Sequence, residues 1–313
     1  MTVDLHTHST ASDGTDRPEA LARLAKDAGL TAFALTDHDT TAGLAQAQAA
    51  ARKLGVGFVP GIELSADPAS LAYANAPSTT DENNGVPSAD VPRIGTLHLL
   101  GYHIQHDDLG LAKISQQQRE ARAQRNPMII AKLQEQGVRI EYEDVLRVAG
   151  STDATEPTGQ ALASEPIVGR PHIAQVLLDK GYVRSIHEAF SRYIGVGGAA
   201  YARKDLLAAA DAIQAIHAAG GVAVLAHPVQ LRMASDDLEH AVAKLADIGL
   251  DGIETCHSDH EPGDIARFTA LAEQFNMLAT GGSDYHGSRK VVALGEVVAP
   301  EGALERLVQR AGR

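Results

Sequence analysis

Short apolar runs alternate with amphipathic stretches over most of this chain. Residues 3–6, 32–36, 57–64 and 97–104 carry the pattern of buried strands, and 18–28 and 41–54 between them carry helical periodicity. Pro18 and Glu19 suit a first helical turn, with Asp16 or Arg17 before it and Gly29 beyond its end. The alternation resumes in the second half, with strands at 222–226, 252–255 and 278–281 and helices at 208–219, 237–248 and 264–275. This βα order predicts an α/β fold, and leaves a closed barrel and an open sheet as the two arrangements of its strands.

Between 108 and 193 the strands stop and the chain reads as helical, including 112–136, 143–149 and 173–180. The expectation is a mainly helical cap domain at 108–193 inserted into a barrel formed by 1–107 and 194–313. Two segments, 66–93 and 151–166, show no periodicity. The first, rich in Ala, Ser, Pro, Asp and Asn, reads as a surface insertion rather than a substrate lid. No solenoid-type repeat is present.

Composition sharpens this only at the margins. A chain of 313 residues is ample for one large domain with an insertion. A 44% apolar content with no Trp implies a core of Ala, Leu, Val and Ile. No basic, apolar leader precedes Asp4 and no run approaches the roughly 18 apolar residues of a membrane span, so a cytoplasmic protein without a membrane partner is expected. The one cysteine, Cys256, reads as an ordinary strand-end residue. A formal charge of −13 argues against long nucleic acid as a partner but leaves room for a small phosphorylated substrate, because clustered metal ions can reverse the local field.

The candidate chemistry sits where the apolar runs end. His6 and His8 alternate along a strand and can face one cation, with Asp13 five residues later. His38 lies in Thr-Asp-His-Asp-Thr, Glu63 in Gly-Ile-Glu-Leu-Ser, His98 in His-Leu-Leu-Gly-Tyr, His227 in Leu-Ala-His-Pro, and Asp284 and His286 in Gly-Ser-Asp-Tyr-His. Imidazoles and carboxylates without cysteine suit catalytic zinc, manganese or iron better than a structural zinc site.

In this order, and together with Gly-Arg-Pro-His at 169–172, these motifs resemble the polymerase and histidinol phosphatase (PHP) family of metal-dependent phosphoesterases over nearly the whole chain. Within that family the likeness is to bacterial phosphatases of nucleoside 3′,5′-bisphosphates and related 5′-phosphates. The resemblance implies a distorted seven-stranded barrel and a centre of two to three divalent ions. It assigns His6, His8, Glu63 and Asp284 to one metal, Asp13, His38 and His286 to a second, and His98 and His227 with a bridging Glu63 to a third. Three divalent ions against three carboxylates leave a net positive charge, the complement of a phosphate. Cations about 3.5 to 4 Å apart can share a hydroxide that attacks phosphorus, so no protein nucleophile is required.

Asp37 and Asp39 are expected to orient histidines or to cap a helix beginning near Thr40. Arg170, at the start of a helix with Pro171 near its first position, is the expected contact for a substrate phosphate, with His172 beside it. His260 matches a family position near substrate and is the candidate leaving-group acid or phosphate contact, and His257 is a candidate substrate contact. Arg203 and Lys204 read as a solvated pair. His103, His106, His187, His217 and His240 read as ordinary histidines. The implied activity is hydrolysis of a nucleotide phosphomonoester, foremost the 3′-phosphate of a nucleoside 3′,5′-bisphosphate, and also 5′-phosphates or short oligonucleotide 5′ ends. The alternatives are a histidinol-phosphate-type phosphatase, an amidohydrolase-like C–N hydrolase, which the separate Asp13 and the Thr-Asp-His-Asp-Thr segment disfavour, and a metal-binding module without catalysis.

Overall fold

The computed structural model describes residues 1–71, 95–150 and 167–312. Most of the irregular stretch at 66–93 and all of 151–166 lie outside the described residues. Seven strands stand in sequence order: β1 (Val3–Asp4), β2 (Ala32–Leu35), β3 (Gly57–Ala66), β4 (Leu97–Tyr102), β5 (Val222–Leu225), β6 (Gly252–His257) and β7 (Leu278–Gly282). Neighbours pair in parallel except that β4 runs antiparallel to both β3 and β5.

The helices are α1 (Pro18–Asp27), α2 (Leu44–Leu54), α3 (Leu109–Glu135), α4 (Tyr142–Gly150), α5 (Arg170–Asp179), α6 (Ile186–Ala189), α7 (Ala209–Ala218), α8 (Ser235–Asp247), α9 (Pro262–Gln274) and α10 (Ala303–Arg310). None is long and apolar enough to cross a membrane among the described residues. α1 begins with Pro18, buries Leu21, Ala22 and Ala25 on one face, and is followed by Gly29 in the left-handed region.

The two ends of the sheet meet. Leu5 N–H donates to the Gly281 carbonyl at 3.2 Å, Asp284 N–H to His6 at 2.8 Å, and His8 N–H to Tyr285 at 2.8 Å. Gly282 permits the approach, since a Cβ there would lie 2.4 Å from the His6 nitrogen. The buried Asp4 carboxylate clamps the same seam, accepting from Ser283 N–H and Oγ, Gly295 N–H and His6 N–H. The result is the expected seven-strand, nearly closed α/β barrel, distorted by the reversed β4 and by a bulge between Glu254 and Cys256.

Alternation along the strands builds two apolar layers. Ala32 and Ala34 cluster with Val59, Leu100, Tyr102, Val222 and Val224, and Leu307 of α10 packs at this cluster. Phe33 and Leu35 face the other way, into the layer shared with Leu21, Ala47, Ile216 and Phe268 of the surrounding helices. A further apolar cluster, centred on Ile129, Leu133, Val145, Ile173 and Leu177 of the helical stretch, runs on through Ile194 to Ala200 and Ala202, past the expected boundary at 193.

Candidate metal centre

All seven strands deliver side chains to one rim. β1, β2, β5, β6 and β7 run toward it, so His6, His8, His38, His227, Asp284 and His286 lie at or just beyond strand ends. The reversed β4 enters from that rim, which puts His98 near its start beside Ser65 of β3. Glu63 lies within β3 and pairs with His38 through an isolated bridge.

The nine expected ligands converge, with Glu63 at the middle. Its Oε2 is 3.2 Å from His6 Nε2 and 3.1 Å from His8 Nε2, while Asp284 Oδ1 is 3.1 Å from His8 Nε2 and 3.5 Å from His6 Nε2. Its Oε1 is 2.7 Å from His98 Nδ1 and 2.9 Å from His227 Nε2. Asp13 gathers His286 Nε2 at 3.3 Å and His38 Nε2 at 3.8 Å. In the geometry His8 also belongs to the Asp13 set, and His38 also meets Glu63 and His98.

This donor set fits divalent cations. Both ring nitrogens of His8 and Nδ1 of His38 are buried without a hydrogen-bond partner, although carboxylate oxygens stand within about 3 Å of His8 Nε2 and His38 Nδ1. An unsatisfied buried donor or acceptor costs about 1–3 kcal/mol, which a shared cation would offset. Burial alone would raise the carboxyls of Asp13, Glu63 and Asp284; the surrounding imidazoles, and at Asp284 chiefly Lys290, hold all three well below the usual range. Burial would likewise depress the His8 imidazole, but Asp284 and Glu63 push it up to about 9.

Backbone strain is concentrated here. Asp39, His227 and Asp284 are three of the six non-glycine residues with positive φ among the described residues.

Several groups have other partners than the sequence implied. Asp37 neither orients a histidine by hydrogen bond nor caps α2; it accepts from Ser9 N–H, Ser9 Oγ and Ser12 Oγ at 2.6–2.7 Å, bracing the loop that carries Asp13. Asp39 accepts from Ser65 N–H and Oγ and pairs with Arg122 and Lys204. Arg203 is solvated and paired with Asp67, whereas Lys204 is buried and donates to Gln118 Oε1 at 2.6 Å, so the expectation of a solvated pair fails for Lys204. His217 is an exposed partner of Asp251.

His257 is buried against the metal centre. Its Nδ1 accepts from Asp259 N–H at 2.9 Å, so in the neutral ring Nε2 carries the proton and donates to Asp284 Oδ2 at 3.2 Å. His260 donates from Nδ1 to the Thr255 carbonyl at 3.0 Å, leaving Nε2 buried and unpartnered. Burial lowers its pKa, so the neutral ring offers Nε2 as an acceptor, and service as an acid requires that it first take up a proton.

At α5, Gly169 N–H donates to His172 Nδ1 at 2.9 Å, so Nε2 of the neutral ring is a donor. It faces the Nη1 of Arg289 at 3.2 Å, one donor against another. Burial, then Arg289, pushes the His172 pKa down to about 3. Arg289 Nη1 already donates to the Asp13 carbonyl, so of the two it is His172 Nε2 that lacks an acceptor, and an anion beside the pair would supply one. Arg122, Arg125, Arg170 and Lys204 form a second cationic group, and the ion pairs they make among the described residues are both to Asp39. Burial and Arg122 together bring Lys204 down to about 7, and burial with the neighbouring arginines brings Arg125 to about 8.

Glu254, Arg122, Arg125, Arg289 and Lys290 were not singled out from sequence. Lys290 pairs with Asp284. Glu254, fully buried on β6, meets His6 Nδ1 at 2.9 Å and the His227 N–H at 2.7 Å. Burial raises its carboxyl, but His6 and His257 more than reverse this and keep it ionised.

A barrel whose strands bring nine candidate imidazole and carboxylate ligands to one largely buried rim has the make-up of a metal-dependent hydrolase. The PHP domain model matches residues 4–254. Similar proteins include a phosphoribosyl 1,2-cyclic phosphate 1,2-diphosphodiesterase of Eggerthella lenta, 32% identical over 92% of this chain and 95% of that protein. A 5′-3′ exoribonuclease of Escherichia coli is 30% identical over 93% and 87%. A 3′,5′-nucleoside bisphosphate phosphatase of Chromobacterium violaceum is 28% identical over 91% and 87%. Among solved structures, a metal-dependent phosphoesterase of Bifidobacterium adolescentis superposes with a TM-score of 0.77 at 28% identity, covering 99% of this chain and 98% of the other. The chain belongs to the PHP domain family and is a metal-dependent phosphoesterase.

Proposed function

We propose that this protein is a cytoplasmic phosphomonoesterase that removes the 3′-phosphate of nucleoside 3′,5′-bisphosphates, with 5′-phosphates and short oligonucleotide 5′ ends as related substrates. The supporting observation is the group formed by buried Arg125 and Lys204 with half-buried Arg122 and Arg170 near the metal centre, balanced by Asp39. Such a group favours a ligand with a second anionic phosphate. Histidinol phosphate has one phosphate and a cationic amine, which these residues would repel. The diesterase and exoribonuclease names among the relatives share attack on a sugar phosphate and differ in the group released.

His6, His8, Glu63 and Asp284 would hold one divalent ion, Asp13, His38 and His286 a second, and Glu63, His98 and His227 a third, with manganese, zinc or iron suited to the nitrogen and oxygen donors. Ions bound there would supply an activated water and electrostatic stabilisation of the phosphoryl oxygens. The protein's own part is positional. Arg170, at the N-terminus of α5, and Lys204 hold the non-reacting phosphate. His172 Nε2 directs a donor at the reacting one with the Arg289 guanidinium beside it, and His260, once protonated at Nε2, gives that proton to the departing sugar oxygen. The helical insertion at 108–193 acts as a cap because α3 and α5 bring the arginines over the rim.

The reading is tested by comparing turnover of adenosine 3′,5′-bisphosphate, AMP and histidinol phosphate by one metal-loaded preparation. The bisphosphate should have the highest kcat/KM, and preference for histidinol phosphate would overturn the nucleotide assignment.

A further inference from the structure

We propose that Glu254 is a positioning residue that ties two of the three metal subsites together through a single buried carboxylate. The inference rests on the metal-centre reading above. One oxygen of Glu254 accepts from His6 Nδ1 at 2.9 Å. That contact puts the imidazole proton on Nδ1 and leaves the lone pair of Nε2 directed at Glu63 and Asp284, 3.2 and 3.5 Å away. The other oxygen accepts the His227 backbone N–H at 2.7 Å. His227 has φ 24, a conformation that needs an external hold, and its Nε2 lies 2.9 Å from the other oxygen of Glu63. Glu254 therefore sets a ring in the first donor set and a main-chain turn in the third. It makes no hydrogen bond or ion pair to the Asp13, His38 and His286 set among the described residues.

The same residues exclude a simpler role. Glu254, His6 and His257 lie close enough together to be considered a metal site in their own right. Both Glu254 oxygens, however, already accept hydrogens. His6 Nδ1 is the donor to one of them, and His257 Nε2 carries its proton toward Asp284 because its Nδ1 accepts from Asp259 N–H. Neither ring turns a free lone pair toward Glu254, since the one on His6 Nε2 faces Glu63 and Asp284 and the one on His257 Nδ1 is taken by Asp259 N–H. Glu254 and His257 form a supporting layer beneath the ligands, with Glu254 under His6 and His227, and His257 under Asp284.

The test is Glu254→Gln, which keeps the shape and turns one accepting oxygen into a donor. Manganese titration followed by electron paramagnetic resonance should show two classes of site weakened roughly 10- to 100-fold and one unchanged. Thermal unfolding of the metal-free protein separates this from general damage. Uniform weakening of all classes with a lowered unfolding midpoint, weakening of one class only, or unchanged binding would each overturn the proposal. Should that variant fail to fold, Glu254→Asp retains the charge but withdraws it by one methylene, and the same two-class weakening is expected. The ring ¹⁵N spectrum of the unmodified metal-free protein is independent of either variant: His6 should be protonated at Nδ1, and a proton at Nε2 alone would contradict the proposal. Wild-type protein that binds no manganese would refute the metal centre itself, whereas wild-type binding with an unaffected Glu254→Gln variant would refute only the role of Glu254.

Discussion

Lys204 Nζ lies 3.5 Å from the Asp39 carboxylate in the interior of the molecule, and Asp39 is shared with Arg122. Burial, reinforced by Arg122, lowers the Lys204 pKa to about 7, so its charge is lost near neutrality. Below that pH the ammonium adds to the anion site, and above it the site loses one charge. Sulfate, which does not titrate in this range, should therefore bind more weakly as pH rises from 6 to 9. Isothermal titration of the metal-free protein checks this. Lys204→Met should weaken binding at pH 6 and flatten the profile, and an unchanged slope would show that Lys204 is not part of the site.

Metal binding should have the opposite pH dependence. Asp284 and Glu63 overcome burial to hold His8 protonated up to about 9 in the metal-free chain, and a cation can bind only the neutral ring. Manganese affinity should thus rise with pH from 6 toward 9, with protons released on binding. Titrations in buffers of different ionisation enthalpy measure that release. Affinity independent of pH would remove His8 from the ligand set.

Arg170 tests the division of labour in the substrate site. Charge-assisted hydrogen bonds contribute about 1.5–3 kcal/mol, so Arg170→Ala should lower kcat/KM for adenosine 3′,5′-bisphosphate roughly 10- to 100-fold. A phosphomonoester without a second phosphate should lose much less. Equal losses on both substrates would place Arg170 at the reacting phosphate.

The helical insertion is built on a further apolar cluster, and Leu177 is fully buried within it. Leu177→Ala should cost about 2–5 kcal/mol. If 108–193 is a separate cap, hydrogen exchange should accelerate in α3, α4 and α5 while bound manganese stays constant. Equal acceleration through β1 to β7 would show that barrel and insertion unfold as one.

The strand order and the rim's histidines and acids were legible because both leave periodic or local marks, whereas closure of the barrel was implied by the family resemblance. Short apolar runs end in His6-x-His8, His38, His227 and Asp284-x-His286, and a strand end exposes a side chain to the same rim whatever its sequence distance. The supporting layer left no such mark. Glu254 sits between Ile253 and Thr255 in an otherwise ordinary strand, and only the fold puts it under His6. Arg122 and Arg125 lie on a long helix, where charged residues usually mark the solvent face; the packing of α3 toward Asp39 reverses that reading. Lys204 follows the exposed Arg203, and a one-residue step in extended chain turned it inward. Helix α10 was not expected at all, although Leu307 packs it onto the apolar cluster beside β1 and β5.

In the proposed mechanism Glu63, Asp284 and the surrounding imidazoles hold the ions that carry the phosphoesterase chemistry. Phosphate release from adenosine 3′,5′-bisphosphate, measured alongside metal content before chelation, after chelation and after reloading with manganese, tests it most directly. Activity should vanish with the metal and return with two to three ions per chain, and Asp284→Asn should fail to recover on reloading. Full phosphate release by metal-stripped protein, or by Asp284→Asn with fewer ions bound, would contradict it.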